Sequence, residues 1–324
     1  MTDSLSRRDF MQTSTIAAAA ATIASFAAPR DVAAAIAATA NTTLPTRELG
    51  KTGQKVSILG LGGEHTLSKE GTDAESEAIV GRAFDLGITY FDTAQLYFPS
   101  EKYVGQGLKG RRDKIFLSTK IDPRDPEEAK PLIERSLNLL QTSQFDNLNI
   151  HRCRDMGDVD KLTQKGGLMD LIHKLKDEGI TRHIGITGHR SPDVLLEMMK
   201  RGDFSFVLVP VNPTDNLMDS FAPVRAEARK RGIGVIGMKV AARGRFFKEC
   251  GVTKMDDLLN YALTQDIDVA IVGVETLAHL EDNVRIAKNF KPMSDADQRR
   301  VEEEMKPHSL IGNFYKPGGA GWLD

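Results

Sequence analysis

The sequence reads as an α/β protein folded into a closed (β/α)8 barrel, the TIM-barrel architecture, with an amino-terminal β-hairpin and an extra carboxy-terminal helix and tail. Three observations predict it. From about Leu44 the chain alternates eight short apolar runs with amphipathic helical stretches. These units occupy roughly 280 residues, the size of one such barrel. No glycine-rich dinucleotide fingerprint follows an early strand, because Gly60-Leu61-Gly62-Gly63 lacks the spacing that a doubly wound sheet uses.

Taken in order, Arg47–Ser57, with Gly50 and Gly53, reads as a small hairpin plugging the barrel floor. Strands are expected near Ile58–Leu61, Thr89–Phe91, Ile115–Ser118, Asn147–Ile150, His183–Ile186, Phe206–Pro210, Val235–Gly237 and Val269–Val272. Helical periodicity covers Asp73–Leu86, Glu101–Leu108, Pro126–Leu140, Leu168–Asp177, Pro192–Met199, Phe221–Lys230, Met255–Thr264 and Leu277–Ala287. One more helix is expected over Asp295–Met305. Pro307 and Gly318-Gly319 then mark an irregular strap that ends at Trp322 and closes over the barrel mouth.

Composition narrows the partners. The 324 residues carry 43 Lys and Arg against 45 Asp and Glu, a net charge of -2, so no basic surplus points to nucleic acid or anionic lipid. A small-molecule site is expected, and the oligomeric state stays open. Two cysteines, Cys153 and Cys250, are too few for a disulfide framework, a four-thiolate zinc site or an iron–sulfur cluster held by this chain alone, and no metal is expected.

Residues 1–40 are set apart from the single domain of residues 41–324. Arg7-Arg8, followed by Phe10 and an alanine-rich stretch from about Thr15 to Ala28, resembles a twin-arginine (Tat) export signal, and Ala38-Thr39-Ala40 suits signal peptidase. The stretch is too short and too rich in alanine for a stable membrane span. Export by the Tat machinery to the periplasm is the expectation, with a cytoplasmic location as the alternative.

Chemistry gathers at strand ends. Asp92 and Tyr97 lie in FDTAQLY, Lys120 ends IFLSTK and His151 ends NLNIH. On consecutive parallel strands all four would meet at one barrel face, where active sites of this architecture sit. A carbonyl accepting hydride needs a proton or donors at its oxygen, and a tyrosine of pKa about 10 is a reluctant acid. Lys120 is expected to acidify Tyr97, Asp92 to hold Lys120, and His151 to orient the substrate oxygen. Singly, each has an ordinary reading: a turn cap, an amphipathic core residue, a rim lysine and a satisfied core histidine. An acid, a phenol, an ammonium and an imidazole at one face favour catalysis.

FDTAQLY with Ser100-Glu101 and Gly105, then Lys120 and His151, resembles the aldo/keto reductases, and the resemblance runs from about Leu44 to Ala287. It implies reduction of an aldehyde or ketone, or the reverse, with NADP or NAD, an oxidoreductase of class EC 1.1.1, with Tyr97 as general acid/base. It also implies Thr187 and Gly188 at the nicotinamide carboxamide, Met238 and Lys239 against the nicotinamide, and Gly244 and Arg245 beside the pyrophosphate, where a flexible basic surface loop is an equal reading. Gly273, Thr276, His279 and Asn283 fall at the adenosine segment, where Thr276 equally suits an N-cap. Residues that often grip a 2′-phosphate are missing, and Glu275 would repel one if it pointed inward, so NAD and NADP stay level.

Glu64, His65, Phe98 and Arg152 are the expected lining of the substrate mouth, and Arg152 with Arg154 invites a reading of acidic or phosphorylated substrates, against the commoner one of exposed loop arginines. The alternative function is an exported nicotinamide-nucleotide-binding sensor or accessory protein with little turnover.

Overall fold

The computed structural model describes residues 43–320. The twin-arginine segment, the alanine-rich stretch and Trp322 lie outside the described residues. Strands β1 (Thr46–Glu48) and β2 (Lys55–Ser57) pair antiparallel, Thr46 opposite Ser57. Eight parallel strands follow: β3 (Leu59–Gly62), β4 (Tyr90–Asp92), β5 (Phe116–Ile121), β6 (Phe145–Ile150), β7 (Thr181–Thr187), β8 (Phe206–Pro210), β9 (Gly234–Met238) and β10 (Val269–Val272). They run in sequence order around a closed barrel, with β10 pairing both β3 and β9.

The outer ring is built from α1 (Asp73–Asp85), α2 (Ser100–Gly107), α3 (Pro126–Leu139), α4 (Met156–Thr163), α5 (Leu168–Asp177), α6 (Pro192–Arg201) and α7 (Ala222–Arg231). A short α8 (Arg245–Glu249), then α9 (Asp256–Thr264), α10 (Leu277–Lys288), α11 (Asp295–Met305) and α12 (Ser309–Gly312) complete the chain. Side chains start several of them: the carboxylates of Asp125 and Asp155 and the hydroxyls of Thr276 and Ser294 accept the amide protons of Glu127, Asp158, His279 and Asp297. Helix α4 has no counterpart in the sequence expectation. Its eight residues, capped by Asp155, bury little beyond Asp158, Val159 and Leu162, too few turns for a clear 3.6-residue period.

Alternation of side chains along a strand decides what faces the barrel axis. On β4, Tyr90 and Asp92 share the inner face, and on β5 Phe116, Ser118 and Lys120 do the same. The floor of the barrel is apolar: Leu49 from the hairpin packs with Tyr90, Phe116, Phe206, Leu208, Ile236 and Val269. Tyr90 stacks on Phe116 at 5.3 Å, and Phe116 meets Phe206 edge-on at 5.5 Å. The hairpin is the floor plug the sequence predicts. Gly50 makes this possible, with φ of 52° and a backbone so close to β9 that a Cβ would stand 2.5 Å from the Gly234 nitrogen.

Higher on the axis the lining turns polar, with Ser118, Asn147 and Asn149 buried beneath Asp92 and Lys120. The expected runs stop short at polar residues, Thr119 and Lys120 on β5 and Asp146 on β6, and so underestimate strands that extend to Ile121 and begin at Phe145.

Candidate active site

Register and parity bring the predicted residues together. Asp92 ends β4 opposite Ser118, Lys120 stands opposite Asn149, and His151 follows Ile150 with the inward parity of Asn147 and Asn149. Thr187 and Met238, last residues of β7 and β9, complete the inner ring. Tyr97 arrives from a turn after β4 in which its amide donates to Ala94 O at 2.9 Å. The Lys120 ammonium donates to the Asp92 carboxylate and, at 2.8 Å, to the Thr93 carbonyl, both partners buried. It also lies 4.9 Å from the centroid of the Tyr97 ring, and that ring meets His151 edge-on at 5.7 Å.

Charge states follow from this enclosure. Burial raises the Asp92 carboxyl, with Lys120 opposing. Burial holds the Tyr97 phenol well above its ordinary value, and the carboxylates of Glu64 and Asp92 push it further, against Arg243 and Arg152. In the free site these effects outweigh the lowering that the sequence expects of Lys120. Lys120 already answers Asp92 and a carbonyl, so the phenol stays protonated. Burial and the nearby Lys120 and Arg152 hold His151 well below its ordinary range, so the imidazole is neutral, and its Nδ1 is buried without a hydrogen-bond partner.

Two cavities meet at this point. The first, about 540 Å³, runs from Asp92, Tyr97 and Lys120 past Met238, Gly244 and Gly273 to His279 and Asn283 on α10. Within its wall Gly273 packs under the His65 ring, from which a Cβ at that position would stand only 2.7 Å. The second, about 600 Å³, is lined by Tyr97, His151, Thr187, His189, Phe314 and Tyr315 among others. Glu64, Tyr97, Lys120, Met238, Lys239 and Arg243 line both.

Several expected positions are elsewhere. Arg245 turns away from the first cavity: its guanidinium binds Glu249 at 2.6 and 2.8 Å, donates to Ala320 O at 2.6 Å and lies over Phe314. Its neighbour Arg243 takes the cavity-facing place and pairs with Glu64 at 3.4 Å. Thr276 lines neither cavity and is the α10 N-cap, its hydroxyl accepting from His279 at 3.2 Å. Thr187 lines the second cavity and accepts the Arg152 amide at 2.9 Å, whereas Gly188 packs on Leu195. Phe98 is exposed beneath the Arg135 guanidinium and lines neither cavity. Glu275 does face the first cavity, but Lys248 answers it at 3.2 Å, and Lys254 adds a further cation to that end.

The sequence reading also missed Arg243, His189, Phe314 and Tyr315. The last two belong to the expected strap. It closes over the mouth because the buried Lys316 ammonium binds Asp215 at 2.8 Å and Asn313 donates to Thr214 O at 2.7 Å. Among the described residues, seven other than glycine have positive φ, and four of them (His65, Arg152, Lys239 and Arg243) line the two cavities. Backbone strain concentrates where the site is, as functional sites often show.

The sequence pattern of the Aldo/keto reductase family matches residues 58–251. The chain is 27% identical to L-galactose dehydrogenase of Arabidopsis thaliana, over 86% of this chain and 98% of that one. In structure it is similar to an aldo-keto reductase from Bacillus halodurans in its holo form, with a TM-score of 0.66, 23% identity and coverage of 81% and 96%. It is also similar to an aldo/keto reductase from Klebsiella pneumoniae in complex with NADP and acetate, with a TM-score of 0.66, 20% identity and coverage of 80% and 94%. The structural likenesses speak for the barrel, and the family pattern spans all four residues gathered at its rim: the chain belongs to the aldo/keto reductase family.

Proposed function

We propose that the protein is an NAD(P)-dependent oxidoreductase that interconverts a small-molecule aldehyde or ketone and its alcohol, with Tyr97 as general acid/base. One observation carries this reading: a protonated phenol, a neutral imidazole and an ammonium share the junction of two cavities, one of them running on to His279 and Asn283 of α10. The first cavity suits that cofactor, with Met238, Ile271 and Val272 as apolar wall, close-approach glycine at Gly273, and Lys248 and Lys254 near Asn283. When bound, the nicotinamide supplies or receives the hydride.

The chain's own residues handle the proton. A carbonyl oxygen placed between Tyr97 and His151 takes a hydrogen bond from the imidazole and the proton of the Tyr97 hydroxyl as charge develops on it. In the opposite direction the phenolate accepts the alcohol proton. Lys120, held by Asp92, places positive charge beside the ring and stabilises the phenolate that forms after transfer.

The test is Tyr97→Phe under multiple turnover with added NADPH or NADH. Loss of about 10³-fold or more in kcat, with cofactor affinity retained, is expected. A variant as active as the parent sinks the reading, and a single turnover without recycling in the parent favours the accessory role. We also propose Tat-dependent export, on Arg7-Arg8 and the alanine-rich stretch that follows. No helix among the described residues is long and apolar enough to cross a membrane. Arg7→Lys with Arg8→Lys should retain the protein in the cytoplasm, and unchanged fractionation would refute export.

A further inference from the structure

The second cavity is strongly one-sided in charge. Four arginines and two lysines line it, against Glu64 as its single carboxylate. Most of those cations are already answered by acids. Asp122 receives Arg152 at 3.0 and 2.8 Å and Arg154 at 3.0 Å, Glu64 faces Arg243 at 3.4 Å, and Asp92 holds Lys120.

Lys239 differs from them. Among the described residues no carboxylate lies within ion-pair distance of its ammonium, which instead stands 5.8 and 5.5 Å from the ring centroids of Phe314 and Tyr315. Ring faces attract a cation without cancelling its charge. The backbone is committed to this placement, since Lys239 adopts φ of 59°, a conformation unusual for a residue with a Cβ. The ammonium therefore faces the junction of the two cavities with Glu64 acting on it only from beyond ion-pair distance, in a pocket where field lines of one sign are focused.

We propose, building on the reductase reading above, that the natural carbonyl substrate carries an anionic group, a carboxylate or a phosphate, and that Lys239 receives it. The anion takes no part in the bond changes. Hydride adds to the carbonyl carbon, the carbonyl π electrons move to oxygen, the Tyr97 proton closes the hydroxyl, and the cofactor leaves oxidised. What the anion adds is orientation: with one end on Lys239 and the carbonyl between Tyr97 and His151, the substrate is held at two points. Burial and the surrounding Arg243 and Lys120 bring the amine down to about 8, with Glu64 opposing, so the receptor is charged at neutral pH and loses its charge in mildly alkaline solution.

The test uses the full chain with NADPH and three aldehydes of matched length, ending in a methyl, a carboxylate or a phosphate group. The parent is expected to favour one anionic aldehyde over the neutral one by about tenfold or more in kcat/KM, the effect of one unshared ion pair in a site partly closed to water. Lys239→Met should lower that ratio by about the same factor, and Lys239→Arg should restore most of it. A parent ratio near one overturns the proposal. So does a Lys239→Met variant that raises the KM for NADPH while leaving the ratio alone, which would assign the ammonium to the cofactor. Calorimetric binding of the unreactive straight-chain carboxylate and alkyl phosphate, measured with oxidised cofactor present, decides the point without turnover. Binding that needs Lys239 supports the proposal even if the reductase reading fails, and no binding of either anion by the parent overturns it while that reading stands.

Discussion

The two ends of the barrel are made from the same strands and solve opposite problems. At the floor, Tyr90, Phe116 and Phe206 stack against the hairpin residue Leu49 and exclude water. Two and four residues further along the same inward faces, Asp92, Ser118 and Lys120 put charge and hydroxyl where burial is most costly. The floor contributes stability, each large buried apolar side chain giving about 1.5–3 kcal/mol. The rim consumes some of it to hold groups in reactive states. The proposed chemistry therefore rests on the part of the barrel that folds least favourably.

The largest expected break in that contrast is Lys120→Met. It removes the ammonium and leaves the buried Asp92 carboxylate without its partner, beside an Oδ2 that already has none. A loss of about 10³-fold in kcat/KM is expected together with about 3–5 kcal/mol of stability. Adding Asp92→Asn should return much of the stability and none of the activity. Denaturant melts of the single and double variants separate the two effects, and equal recovery of both would mean the pair is only structural.

Phe116→Ala is the mirror image at the floor. It should cost about 3–5 kcal/mol while leaving kcat and KM of the folded protein within about twofold, since no atom of Phe116 lines either cavity. A large change in KM without loss of stability would show that floor and rim are coupled more tightly than the strand geometry suggests.

The pH profile sharpens the rim itself. On the proposed mechanism reduction uses protonated Tyr97, whose pKa is raised, so the acid form persists through the whole range below the ordinary phenol value. The rate with a neutral aldehyde should stay flat from neutral pH to about 10 and fall only above. With an anionic aldehyde the fall should begin near 8, where Lys239 loses its charge. The groups facing Lys239 are Glu64, Lys120, His151, His189, Arg243 and Tyr315, and burial keeps both histidines neutral there, so neither should produce that step. Initial rates across this range with both aldehydes check the separation.

How much of this was legible in the chain differs between strands and loops. Asp92, Lys120 and His151 were readable because each ends or follows an apolar run, and strand parity then fixes where they point. The acidity of Tyr97 was not, because Glu64 reaches it from a loop some thirty residues earlier in the chain, a proximity that no local pattern contains. Arg243 escaped, and Lys239 was read only as a residue against the nicotinamide, for a related reason. Their directions depend on left-handed backbone in a loop without a run of glycine, and hydrophobic periodicity carries no record of it. The strap was legible as a strap from Pro307 and Gly318-Gly319. Its clasp was not, since the Lys316–Asp215 pair joins positions about a hundred residues apart.

The smallest effect distinguishes two arginines two positions apart. Arg243 and Arg245 have the same charge and are separated by Gly244, whose φ of 79° lets the chain reverse direction between them. Arg243 faces both cavities and pairs with Glu64, while Arg245 ties α8 to the tail through Glu249 and Ala320. Arg243→Ala should raise the KM for the anionic cofactor several-fold. Arg245→Ala should leave that KM unchanged within about twofold and lower stability by only about 0.5–1 kcal/mol, the worth of one exposed ion pair and a tail contact. If Arg245→Ala were the variant that lost cofactor affinity, the loop would close differently on the bound nucleotide, and the boundary drawn between the chemical rim and its outer scaffold would have to move one turn outward.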